Sequence, residues 1–196
     1  MLLLFLFIKS ISMSFASNVF SRVFLFVLFV NFLLIGNLSA QNIKTINIED
    51  ETLAFAARSI INSTKYCALI TIDSVGEVHA RMMEVFPLGD DFTIWFGTNV
   101  KSRKVQEVRN NPKVTVYYSN PDGSGYVTVF GKAQLIDDAN EKSRLWKKEW
   151  VNYFTDKKDF VLLKLIPQKM EIISYKHGIN GDKETWRAVN YEFKNK

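Results

Sequence analysis

Apolar residues recur along the chain at two spacings, one typical of helices and one typical of strands. Between Glu49 and about Asn62 they stand three and four positions apart, which predicts an amphipathic helix with acidic residues in its first turn. The β-branched, apolar run at 66–72 predicts a buried strand, and a turn at 73–76 leads into a return strand over 77–86. Three further segments share the strand-like pattern: 92–96, 114–119 and 126–136.

Helical spacing returns twice in the second half of the chain. One helix is predicted between Lys104 and Pro112, and another over 137–150, with Asp137 or Asp138 as its N-cap. The remaining strands are predicted at 160–166, 169–175 and within 185–193. Seven or eight short strands with inserted helices indicate a mainly β, α+β fold. An antiparallel sheet that closes into a small barrel is expected, because closure removes exposed sheet edges.

The first 40 residues differ sharply from the rest, with 8 of the 16 Phe residues and no acidic residue. A largely apolar run of thirteen residues, Val23–Ile35, follows Arg22 and precedes a polar stretch that ends at Ala40. This pattern predicts a secretory signal peptide over 1–40, cleaved after Ala40, with Met13 as an alternative start. The apolar run is short for a membrane span, although an uncleaved anchor is the alternative. We therefore expect one exported domain over 41–196, periplasmic or secreted.

Composition narrows the possible chemistry of that domain. Of the 25 Lys and Arg residues, 23 lie beyond position 40, together with all 20 acidic residues. This small excess of positive charge does not favour a nucleic-acid partner. The single cysteine of this sequence, Cys67, excludes an internal disulfide and a multi-Cys metal site, and it is interpreted as a small buried apolar residue. The two histidines form no metal-ligand or catalytic constellation.

The segment Thr98–Lys104 combines hydroxyl and cationic side chains at the start of a predicted helix. Free backbone N–H groups and the helix dipole favour anions there, although a solvated charged helix start would show the same pattern. Arg81 lies on a strand among apolar neighbours and therefore requires a partner, which is either a ligand phosphate or an acid such as Glu84 or Asp91. His79 shares its strand face.

An aromatic cluster is predicted around the third helix, with Trp146, Trp150, Tyr153 and Phe154. Packing of the helix on the barrel is one interpretation, and stacking on a flat aromatic ligand is the other. The sequence gives no support for a Ser/His/Asp arrangement.

Residues of about 50–175 resemble the pyridoxamine 5′-phosphate oxidase-like, FMN-binding split-barrel superfamily, within it the general stress protein 26-like branch. The resemblance depends on motifs in a fixed order rather than on any single one. They are His79–Met83, Trp95–Asn99, Ser102–Lys104, Asn111–Val114, Val127–Ala133, and Leu145 and Trp146 with Trp150 and Asp159.

The resemblance implies a six-stranded antiparallel split β-barrel that forms a homodimer, with FMN or another flavin at the subunit interface. It implies that Arg81 and Lys104 bind the FMN phosphate, with Ser102 and Arg103 assisting. Thr98 and the backbone at Met82 and Met83 would contact the isoalloxazine ring or the ribityl chain. No metal and no catalytic residue is assigned.

The sequence departs from the oxidase at positions that matter for its reaction. Phe86 replaces a lysine, Tyr126 replaces a flavin-contacting glutamine, and the C-terminal Arg-x-His substrate motif is absent. These departures argue against pyridoxamine phosphate oxidation. The expected function is a flavin-dependent oxidoreductase acting on an unknown small molecule.

Three alternatives stay open at this point. The first is a non-catalytic, flavin-sequestering stress protein, which would bind the cofactor without turnover. The second is a haem-handling split barrel with His177 or His79 as axial ligand. The third is a protein that binds an anionic surface or a nucleic acid through the basic residues of 101–113.

Overall fold

The computed structural model describes residues 48–154 and 156–193. The predicted signal peptide at 1–40 lies outside the described residues, as does its cleavage after Ala40. No helix among the described residues is long and apolar enough to cross a membrane. The helices and strands, in chain order, are α1 (Ile48–Ser63), β1 (Tyr66–Ile72), β2 (Val78–Glu84), β3 (Ile94–Asn99), α2 (Arg103–Asn110), β4 (Lys113–Ser119), β5 (Gly125–Ile136), α3 (Ala139–Arg144), β6 (Phe160–Ser174) and β7 (Val189–Glu192).

The strands form one sheet in the order β2-β1-β4-β5-β6-β3, and β7 adds to β6. Every pairing is antiparallel, which confirms the predicted mainly β architecture with inserted helices. The first and last strands of this order, β2 and β3, do not pair with each other among the described strands. The sheet is therefore open, as in a split barrel, and the expectation of a closed barrel is wrong.

Burial alternates along the strands, so that one face of the sheet forms the core. Leu69, Val116, Val129 and Met170 come from four neighbouring strands and are at most 1% exposed. The apolar stripe of α1, which includes Ile60, belongs to the same core cluster. The spacing of apolar positions thus fixes which face of each strand is buried.

The helix predicted over 137–150 is much shorter in the structure. It covers only Ala139–Arg144, and a 3₁₀ turn follows at Lys148–Asn152. Asp138 is the N-cap, since its carboxylate accepts hydrogen bonds from two backbone N–H groups of the first turn. The indoles of Trp146 and Trp150 instead pack against Phe160 of β6, at centroid distances of 5.3 and 5.2 Å.

The two strands predicted on either side of Pro167 form a single strand, β6, of 15 residues. The register shifts in the facing strand between Phe130 and Gly131, and Pro167 lies opposite Gly131. A Cβ at Gly131 would lie 2.3 Å from the carbonyl oxygen of Ile166. Pro167 has no N–H group to donate to the neighbouring strand. The strand continues through it because the irregular register and the glycine opposite accommodate the proline.

Candidate functional site

A cavity of about 640 Å³ lies beside β2 and β3, the two strands at the ends of the sheet order. Its lining includes β2 and β3 residues, the start of α2 and the 3₁₀ turn at Lys148–Asn152. One group of lining side chains is polar and another is aromatic. The polar side chains include Thr98, Ser102 and Lys104, and the aromatic ones include Trp150, Tyr153 and Phe154.

The polar group is held together by its own contacts. Thr98 belongs to β3 rather than to the predicted loop, and it is only 5% exposed. Its Oγ1 accepts a hydrogen bond from Lys104 Nζ at 3.0 Å and lies 3.3 Å from Ser102 Oγ. Ser102 occupies the N-cap position of α2 without capping the helix through its side chain. An ammonium and two hydroxyls therefore converge on one part of the cavity wall, which is a donor set suited to a phosphate or carboxylate.

The surroundings of Lys104 disfavour its positive charge. Burial lowers the pKa of its ammonium, and the positive charge of Arg81 lowers it further. The carboxylate of Glu107 acts in the opposite direction. An anion beside Lys104 would stabilise the charged ammonium, so this part of the cavity wall favours a negatively charged ligand.

Arg81 faces inward on β2 and is paired with a buried acid. Its Nη2 donates to Glu107 Oε2 at 2.7 Å, and its Nη1 donates to the hydroxyl of Thr71. The sequence suggested Glu84 or Asp91 as partners, and both suggestions are wrong. Glu84 pairs with Lys147 at 3.0 Å, and Asp91 accepts hydrogen bonds from Thr93.

Glu107 is the residue of this region that sequence reasoning missed. It lies on α2 and is 3% exposed, yet its pKa is lowered. Burial alone would raise that pKa, but the hydrogen bond from Thr71 and the charge of Arg81 outweigh it. The available signal was a lone acid beside the apolar stripe of Val105 and Val108, four positions after an arginine.

Two further side chains reach the same carboxylate. Arg103 Nε lies 3.0 Å from Glu107 Oε1, outside hydrogen-bond geometry, and its own side chain is mostly exposed. His79 Nε2 lies 3.7 Å from that oxygen and 3.1 Å from Asp73 Oδ2. His79 and Arg81 therefore share a strand face, as predicted, but both point to acids of this chain.

The remaining predicted contacts lie on the β2 side of the cavity. Met82 and Met83 both line it, although Met82 is 74% exposed and Met83 is buried. Across the cavity, Trp150 packs directly on Gly97 of β3, where a Cβ would lie 2.3 Å from the indole Cη2. The structure thus brings Met82, Met83, Thr98, Ser102 and Lys104 to one cavity. Arg81 and Arg103 meet instead at Glu107.

The other residues singled out from the sequence have structural surroundings. Trp146, Trp150 and Phe154 form an aromatic cluster with Phe160, as the packing interpretation expects. His177 Nδ1 lies 2.7 Å from Ser174 Oγ, and its ring packs edge-on against Phe55. Cys67 is buried, which is consistent with its interpretation as an apolar residue.

Comparison with known proteins gives a match to a family model and to a curated protein. Residues 55–178 match the family model described as pyridoxamine 5′-phosphate oxidase like. General stress protein 26 of Bacillus subtilis is 29% identical over 120 residues, which are 59% of this chain and 84% of that protein.

Two solved structures share the fold of this chain. A Clostridium acetobutylicum protein related to general stress protein 26 aligns with a TM-score of 0.59 at 18% identity, over 73% of this chain and 96% of that one. An FMN-binding protein of Nostoc punctiforme, related to pyridoxamine 5′-phosphate oxidase, aligns with a TM-score of 0.53 at 14% identity, over 77% of this chain and 99% of that one. These matches confirm the predicted fold.

Proposed function

Because this chain belongs to the pyridoxamine 5′-phosphate oxidase-like family, we propose that it binds FMN in the cavity beside β2 and β3 and acts as a flavin-dependent oxidoreductase on a small molecule. The single observation that carries the proposal is the convergence of Lys104, Thr98 and Ser102 on one wall of a cavity with an aromatic second wall. A phosphate fits the first wall, and a planar ring fits the second.

Each group of residues has a separate task in this proposal. Lys104 and the two hydroxyls hold the phosphate, and the β2 and β3 backbone at Met83 and Gly97 forms a floor for the ring. Trp150 shields that region from water, since it is only 8% exposed. When bound, the flavin supplies the redox chemistry, and the protein positions the ring and restricts access to it.

A second copy of the chain is part of the proposal. The face of the sheet opposite the core carries apolar side chains that are unusually exposed for their size. Met82 of β2 and Tyr117 of β4 both pair with Ala68 of β1, so they lie on one face of the sheet, and Val78 lies on the same face. Their exposed fractions are 74%, 38% and 66%. Because Met82 also lines the cavity, a partner on this face would complete its wall.

The haem-binding alternative finds less support in the geometry. Among the described residues that line the cavity there is no histidine. His79 is engaged by Asp73 and Glu107, and His177 by Ser174. A flavin carrier without turnover uses the same cavity, and steady-state assays with NADH or NADPH as reductant distinguish it from an oxidoreductase.

The test is FMN binding to the purified protein, followed by flavin fluorescence quenching and by retention of yellow colour after gel filtration. Lys104→Met is expected to weaken FMN binding about 10- to 100-fold, the range expected for one charge-assisted hydrogen bond to phosphate. Riboflavin, which lacks the phosphate, should bind both proteins equally.

Lys101→Met is the matched control, because Lys101 is on the same segment, is 75% exposed and pairs with Asp159. It should bind FMN like the wild type. Absence of FMN binding at tens of micromolar, or an equal loss in the two lysine variants, would contradict the proposed site.

A further inference from the structure

The buried carboxylate of Glu107 is the centre of a cationic group beside the cavity. Its Oε2 accepts hydrogen bonds from Arg81 and Thr71, and its Oε1 lies 3.0 Å from Arg103 Nε. Among the described residues, Oε1 accepts no hydrogen bond, although it is buried. The contact to Arg103 is thus an ion pair without hydrogen-bond geometry.

The charges around this carboxylate explain why an acid is needed there. Arg81 and Lys104 influence each other electrostatically, and Arg103 reaches the same acid from the first turn of α2. Without an anion, these three positive charges would repel one another in a partly buried region. Glu107 therefore stabilises the protein when no ligand is bound.

The same guanidinium groups are those that a ligand phosphate beside Lys104 would attract. Arg81 Nη2 and Arg103 Nε both face Glu107. We propose that Glu107 is an internal anion that competes with the ligand's phosphate for Arg81 and Arg103, stabilising the ligand-free protein at the expense of affinity. This inference rests on the proposed phosphate site and deepens it.

Glu107→Gln tests the inference because glutamine has the same shape and removes only the negative charge. Its side-chain oxygen still accepts hydrogen bonds from Arg81 and Thr71, so the position of Arg81 is retained. We expect FMN to bind the variant about tenfold more tightly, the order expected when one unit charge is removed from beside a partly buried anion site. Riboflavin affinity should not change.

Stability should move in the opposite direction to affinity. We expect the melting temperature of the ligand-free variant to fall by about 5 °C. Glu192→Gln is the control, since it makes the same change in net charge at an exposed position of β7 that does not line the cavity. It should leave both FMN affinity and melting temperature unchanged.

The outcomes separate this inference from the proposed function. If the wild type binds FMN and Glu107→Gln binds it equally or more weakly, or gains equally for riboflavin, the internal-anion role is wrong. If neither protein binds FMN, the proposed function fails, and inorganic phosphate becomes the probe. A larger rise in melting temperature with phosphate in Glu107→Gln than in the wild type then supports the role, and an equal or absent rise overturns it.

Discussion

The contact between Gly97 and Trp150 gives a quantitative test of how the cavity wall is built. A Cβ added at Gly97 would lie 2.3 and 2.6 Å from Cη2 and Cζ3 of Trp150, and 2.8 Å from Cε2 of Phe160. Real Cβ atoms do not approach other atoms so closely, so Gly97→Ala must displace the indole. The indole has little room to move, because Phe86 and Phe154 pack against it at centroid distances of 5.6 and 5.9 Å.

Overpacking of a well-packed core costs about 1–3 kcal/mol, and three simultaneous short contacts place Gly97→Ala at about 3 kcal/mol. Trp150→Leu removes most of the clashing ring and is expected to cost a similar amount on its own by leaving a void. The double variant should lose less than the sum, by at least about 1 kcal/mol, because the leucine gives the new methyl group room.

Urea unfolding followed by near-UV circular dichroism measures the four free energies of the cycle. Gly131→Ala serves as the control glycine, since its Cβ would meet the backbone of Ile166 at 2.3 Å rather than a side chain. Trp150→Leu should not rescue it, and those two changes should add within about 0.5 kcal/mol. Additivity in the Gly97 cycle, or a cost for Gly97→Ala below about 0.5 kcal/mol, would refute the reasoning.

Other expected outcomes follow from the same geometry. Burial raises the pKa of the Cys67 thiol to about 12. The unfolded chain loses that proton near pH 9, so the wild type should lose up to about 4 kcal/mol of stability relative to Cys67→Ala as pH rises from about 9 to 12, measured by urea unfolding. Thr98→Val should weaken FMN binding about 3- to 10-fold in a fluorescence titration, because the hydroxyl that accepts from Lys104 is lost. Met82→Lys should reduce the mass of the proposed dimer to that of a monomer in light scattering, and a dimeric mass in this variant would exclude the face as the interface.

Local patterns predicted the parts of the fold that depend on local interactions. The first helix and the hairpin of β1 and β2 were predicted within a few residues, because apolar spacing and the turn after Asp73 act over short distances. The spacing of Trp146 and Trp150 also matches a helix, yet in the structure both indoles pack against Phe160. That contact joins segments distant in sequence, so helical propensity could not predict it.

In the candidate site too, local patterns predicted the contacts within one segment but not those between distant segments. The convergence of Thr98, Ser102 and Lys104 follows from a strand that runs directly into a helix, and the sequence predicted it as one segment. The partner of Arg81 could not be found in this way. Glu107 lies 26 positions away, and only the packing of α2 on β1 brings the two together.

The opening in the sheet and the cavity have a common cause. Both strands at the ends of the pairing order, β2 and β3, contribute to the cavity wall through Met83 and Thr98. Direct pairing of these strands would close the barrel and fill the space between them with backbone hydrogen bonds. The aromatic side chains of Trp150 and Phe154 line the gap instead, so the unpaired edges are partly covered without being closed. The split is therefore the feature that gives this small sheet a cavity large enough for a ligand.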